Sequence, residues 1–85
     1  MGDDISKNPD ATLLAAAQRG DPEAWRTIFE THFHSLTDYA ASFLYSADAA
    51  EDVVANIFAK LIERPSSFTP RHTIRAYLLW LVHRR

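Results

Sequence analysis

Glu30, His34 and Asp38 stand at i, i+4 and i+8, so on a helix all three share one side. Two carboxylates and an imidazole in that row supply donors that a divalent cation takes. A solvent-facing polar stripe has the same spacing, however, and the row lacks a closed ligand set with supporting partners, so no metal is expected. His32 and His34 are two apart, point in different directions on a helix and do not chelate together. No Ser or Thr comes with both a base and an orienting acid. Gly2 and Gly20 are the only glycines, too few for a phosphate-cradling loop. These residues point to a chain that binds rather than one that catalyses, with no cofactor.

Charge says more about what is bound. From Asp21 to Glu63 the chain carries Asp21, Glu23, Glu30, Asp38, Asp48, Glu51, Asp52 and Glu63 against Arg26 and Lys60. From Arg64 onward every formally charged residue is positive: Arg64, Arg71, Arg75, Arg84 and Arg85. The formal net charge of -2 hides this division, which predicts one face for a cationic partner and another for an anionic one. Asp48, Glu51 and Asp52 fall in one helical first turn, where dipole stabilisation of roughly 0.3 to 1 kcal/mol each is a sufficient local reason for them. The basic segment, with His72 and His83, has solubility as its simplest reason, but it is free of acids and interleaved with Phe68, Tyr77 and Trp80. Arginines on phosphates with aromatic rings under bases is the usual way of holding a single strand. Thr73, Tyr77, Trp80 and Arg84 recur at i, i+4, i+7 and i+11, one helical face, although Tyr77 serves a core equally well.

These residues must be positioned by helices. Residues 1–10 are polar and read as a frayed leader. A short helix over 11–19 shows Leu13, Leu14, Ala16 and Ala17 on one face and ends at Gly20. Asp21-Pro22-Glu23 starts a second, with a capping carboxylate, a proline at the first helical position and an acid at the positive end of the dipole. Trp25, Ile28, Phe29, Phe33, Leu36, Ala40, Phe43 and Leu44 give it an apolar stripe to about Tyr45. Ser46-Ala47-Asp48 caps a third, whose stripe of Val53, Val54, Ile57, Phe58, Leu61 and Ile62 is stopped by Pro65. A loop over 65–72 with two prolines precedes a fourth helix through Ile74, Tyr77, Leu78, Leu81 and Val82. The fold class is all-α, a compact bundle of three to four helices. At 85 residues there is room for one domain, burying about 60% of its unfolded surface. With no cysteine, disulfides and thiolate metal sites are excluded. No apolar run reaches the roughly 20 residues of a membrane span, and the start has no signal-peptide pattern, so a cytoplasmic chain is expected.

Leu13-Leu14-Ala-Ala-Ala-Gln-Arg-Gly20-Asp-Pro-Glu-Ala-Trp25, then Ala49-Ala50-Glu51-Asp52-Val53-Val54, Phe58 and Ile74-Arg75-Ala76-Tyr77-Leu78-Leu79, resemble in order and spacing the second conserved region of the extracytoplasmic-function sigma factors. The resemblance runs from about residue 13 to 85. It implies a sigma-70-type region 2 domain whose third helix docks on the clamp helices of the beta-prime subunit of core RNA polymerase. The following loop and fourth helix then read and hold the melted minus-ten promoter element. Carried over position by position, it assigns Asp48, Glu51, Asp52, Ala55 and Asn56 to polymerase. Arg64, Ser67, Phe68, Arg71, His72, Thr73, Arg75, Tyr77, Trp80, His83 and Arg84 go to DNA, with Ser67, Phe68, Arg71, His72 and Thr73 in the loop that captures a flipped base. Two departures stand out: Ala55-Asn56 replaces the usual Gln-Glu, and Trp80-Leu81-Val82-His83-Arg84 replaces the common Arg-Ile-Ala-Arg-Asn. The chain reads as a piece of a longer factor, without the helix-turn-helix that reads the minus-thirty-five element. The alternative is a helical protein-interaction module of the same fold that binds a regulatory protein, such as an anti-sigma factor, without DNA.

Overall fold

A computed structural model of the chain describes residues 10–84. It contains α1 (Asp10–Gln18), α2 (Pro22–Leu44), α3 (Ala47–Glu63), a single 3-10 turn (Pro65–Ser67) and α4 (Ile74–His83), and no strand among the described residues. The all-α bundle expected from the periodicity is what forms. Of the leader read over 1–10, residues 1–9 lie outside the described residues, while Asp10 opens α1. The loop read over 65–72 begins instead with the 3-10 turn, seeded by Pro65, in which the Arg64 carbonyl accepts the Ser67 N–H at 2.9 Å.

Each boundary has a chemical cause. After α1, Gly20 takes φ +84°, its N–H donates to the Ala17 carbonyl at 2.9 Å, and the Asp21 N–H donates to Ala16 at 3.1 Å. This doubly bonded helix ending needs a left-handed residue, which glycine adopts without a Cβ penalty. Asp21 Oδ1 then accepts the Glu23 N–H at 3.0 Å to start α2. Ser46 Oγ accepts from Ala49 at 3.1 Å to start α3, and Thr73 Oγ1 accepts from Ala76 at 3.1 Å to start α4. α2 ends at Leu44, with Tyr45 at φ 57°, a left-handed non-glycine residue.

α2 packs against each of the other three helices. The core joins Trp25, Ile28, Leu36 and Ala40 of α2 to Val54, Ile57, Phe58 and Leu61 of α3, to Ile74, Leu78 and Val82 of α4, and to Ala17 of α1. The Trp25 indole is buried without losing its hydrogen bond, because Nε1 donates to the Ala17 carbonyl at 2.8 Å. Two stripe residues fall outside the core: Phe43 is 40% exposed and Ile62 52%. Phe43 lies one turn beyond Tyr39, the level at which α2 meets His83 of α4, and packs edge-on against Tyr39 at 5.5 Å.

Phe68 corrects the reading that gave it to DNA. Its side chain is fully buried, 5.0 Å from the Trp25 ring and 5.6 Å from Tyr77. A ring so enclosed has no free face for a base. Two side chains from α1 bracket the segment that follows: Gln18 Nε2 donates to the Phe68 carbonyl at 2.7 Å, and Asp10 Oδ2 accepts the Ile74 N–H at 3.1 Å. Half-buried His32 of α2 senses the same corner. Burial pushes its imidazole below the ordinary value and the positive charge of Arg75 adds to that, while Asp10 opposes it.

Phe68→Ala is therefore expected to cost about 3 to 5 kcal/mol of folding stability in urea unfolding, with Phe68→Leu much milder. Unchanged stability in Phe68→Ala would contradict the core assignment. His32 gives a pH signature. The folded chain protonates it less readily than the unfolded chain, so the unfolded state binds more protons once pH falls below about 6.5. Stability held by His32 is thus complete at neutral pH and is lost on acidification. Unfolding midpoints compared at pH 7.5 and 5.5 should fall further in the parent than in His32→Gln.

Candidate polymerase and nucleic-acid interface

On α3, the residues turned inward are Ala50, Val54, Ile57, Phe58 and Leu61, which leaves the opposite side exposed. Asp48, Glu51, Asp52, Ala55 and Asn56 all lie on that exposed side. Helical spacing gathers Asp48, Asp52, Ala55 and Asn56 into one ridge, with Glu51 alongside. The ridge begins at the N-terminal end of α3, where the helix dipole favours carboxylates. Among the described residues the ion pairs are those of Arg26 with Glu23 and Glu30, so the acids of the ridge carry no intramolecular salt bridge.

The basic segment folds into a loop and a helix that share one open cleft. Thr69, Arg71, His72, Thr73, Ala76, Tyr77 and Trp80 line a space of about 570 Å³, and none of them is acidic. Arg71, His72 and Thr73 are exposed at its mouth. Tyr77 forms part of the wall: its ring stands against Phe68 on one side and Trp80 on the other, at 5.9 Å, while its hydroxyl donates to the Ser67 carbonyl at 3.3 Å. Trp80 is 51% exposed, with the Arg84 guanidinium carbon 4.9 Å from its ring centroid. Thr73, Tyr77, Trp80 and Arg84 thus share a face as their spacing requires, and Tyr77 bridges core and cleft.

Other expected DNA residues are distributed differently. Ser67 Oγ is turned back onto the Arg64 carbonyl at 2.7 Å. Arg64, the C-cap of α3, is exposed beside the 3-10 turn. Arg75 and His83 sit on the flank of α4 turned toward α2, where Arg75 acts on His32 and the His83 Nδ1 meets the Tyr39 hydroxyl at 3.1 Å. Sequence reasoning missed Asp10, Gln18 and Tyr39. Their partners are remote in the chain, and no local spacing signals them.

The Glu30, His34 and Asp38 row is exposed on α2, and Glu30 is engaged by Arg26 Nε at 3.4 Å. Among the described residues no three His, Asp or Glu side chains converge as metal ligands. No helix of the described residues is long and apolar enough to cross a membrane.

Comparison with known proteins adds a family to this geometry. The family model of sigma-70 region 2 matches residues 28–85, more than half of the chain, and covers most of α2 and everything from there through α4. No curated protein and no solved structure matches the chain. A match over that much of the chain shows that it belongs to the sigma-70 region 2 family, transcription-initiation domains that in general bind core RNA polymerase and recognise the minus-ten promoter element.

Proposed function

We propose that this chain is the core-binding and promoter-melting domain of an extracytoplasmic-function sigma factor, working in the cytoplasm without a cofactor. The ridge of Asp48, Glu51, Asp52, Ala55 and Asn56 docks on the clamp helices of the beta-prime subunit. Opposite charge there steers encounter, and like charge across such a contact costs several kcal/mol. The cleft under Arg71, His72 and Thr73 takes a base flipped out of the minus-ten element. Unstacking costs a few kcal/mol, which a polar and aromatic pocket offsets. Trp80 carries the next stacking surface, and Arg84 holds that ring while reaching phosphate. Arg64, Arg75 and His83 lie outside the cleft and are assigned to the phosphodiester backbone on either side of the captured base. Phe68 supports the cleft from within.

The observation that carries this reading is the cleft itself, an acid-free concavity with exposed cations at its mouth and a half-exposed indole at its edge. One feature favours the second reading, a protein-interaction module for a regulatory partner such as an anti-sigma factor. Ala55 and Asn56 give the ridge less charge than Gln-Glu would, and so a weaker hold on a cationic clamp.

Two measurements separate the readings. Glu51→Lys with Asp52→Lys is expected to abolish co-purification with the beta-prime clamp helices at parental helicity, and undiminished binding would end the polymerase assignment. For DNA, titration of a single-stranded promoter oligonucleotide at low ionic strength should show the log–log salt slope shrinking by about 0.7 for each of Arg71→Ala and Arg84→Ala. Trp80→Ala should weaken binding by about 1 to 3 kcal/mol with the slope unchanged, because a stacking partner carries no charge. If Arg71→Glu with Arg84→Glu binds single strands as the parent does, the protein-interaction reading takes over.

A further inference from the structure

α1 lies wholly outside the segment matched by the family model, yet it holds both ends of the loop that borders the cleft. Gln18 Nε2 donates to the Phe68 carbonyl, where the loop leaves the core. Asp10 Oδ2 accepts the Ile74 N–H, where the loop enters α4. Asp10 and Gln18 are eight residues apart on one helix, an axial distance of about 12 Å at 1.5 Å per residue. From Phe68 to Ile74 the chain can stretch to about 20 Å at 3.3 to 3.6 Å per residue. The two ties fix both ends of this bridging arch on one helix. Pro70 is buried, whereas Thr69, Arg71, His72 and Thr73 are exposed on the arch. The second pin also completes a helix cap: Thr73 Oγ1 satisfies the Ala76 N–H, and Asp10 satisfies that of Ile74, one of the orphan donors of the first turn.

We propose that α1 is a positioning brace for base selection, with Asp10 and Gln18 as positioning residues that fix the curvature of the 69–73 arch over the cleft. Neither touches the strand. They act by holding Arg71, His72 and Thr73 at a set distance from Tyr77 and Trp80, so that one base fits better than others. The inference rests on the DNA reading above and deepens it. The brace sets selectivity, while the cations set overall affinity.

The test uses the full chain bound to core polymerase and a pool of single-stranded oligonucleotides randomised over the minus-ten positions. Selectivity is read as enrichment of the best sequence over the pool mean. Asp10→Ala and the near-isosteric Gln18→Glu, which replaces the donating amide with an acceptor, should each lower it by about two- to tenfold, the worth of one hydrogen bond. The salt slope and polymerase affinity should stay parental. Asp10→Asn, which keeps an acceptor oxygen, should restore selectivity. In the free chain, exchange of the Ile74 amide should quicken about tenfold in Asp10→Ala and not in Asp10→Asn. Parental selectivity in both loss variants, or unchanged Ile74 exchange, overturns the brace. So does a loss of selectivity that comes with unfolding or with an equal loss of polymerase binding, which would make α1 merely structural. A parent that selects no sequence at all fails differently: the DNA reading itself falls, and the brace falls with it.

Discussion

The buried ring of Phe68 is the contact on which the rest of the binding architecture depends. It leaves a loop of polar and proline residues and closes the core between Trp25 of α2 and Tyr77 of α4. Burying a phenyl ring of this kind is worth on the order of 1.5 to 3 kcal/mol in transfer from water. What it fixes matters more than that figure. With Phe68 seated, its carbonyl meets Gln18, the Ser67 carbonyl meets Tyr77, and the following residues have no freedom except to cross toward α4. A segment with little secondary structure of its own is thereby held by the core.

Around that anchor the chain keeps its two signs apart. The acids of α3 project from one helix and the arginines from the loop and α4, on a body measuring 37 × 29 × 19 Å. A Debye length of about 8 Å at physiological salt is shorter than any of these dimensions. Each face therefore presents its own potential to an approaching partner, and a small net charge is no obstacle to binding one cationic and one anionic surface at once.

The sequence made the elements legible and the loop illegible, for one physical reason. Asp21-Pro22, Ser46 and Thr73 cap their own helices within three residues, and Gly20 completes a helix ending with carbonyls three and five positions away. Such signals are local and can be read from order alone. The exposed ridge of Asp48 to Asn56 was equally readable, since the buried residues of α3 repeat with the helical period. Phe68 sits among Ser, Thr and Pro with no period to say which way it points, and an aromatic next to arginines reads as a stacking residue until the core claims it. Asp10 and Gln18 find partners 64 and 50 residues away, a separation at which composition and spacing carry no information. The resemblance groups His83 with Arg84, but one position is about 100° of helical rotation, and the contact of His83 with Tyr39 of α2 is not visible in the order of residues.

The tight corner between α2 and α3, where left-handed Tyr45 and capping Ser46 leave no slack, divides the molecule by chain entropy as well as by charge. Two long helices joined by two residues meet at almost no loop-closure cost. The ties that define the cleft close spans of 50 and 64 residues. Each doubling of a closed span adds about 0.6 kcal/mol, so going from a four-residue to a 64-residue closure adds about 2.4 kcal/mol. The α2–α3 hairpin is for that reason the cheaper piece to assemble, and the arch with its α1 ties is the dearer one. The acidic face thus stands on a local closure, and the basic face on ties between residues far apart in the chain.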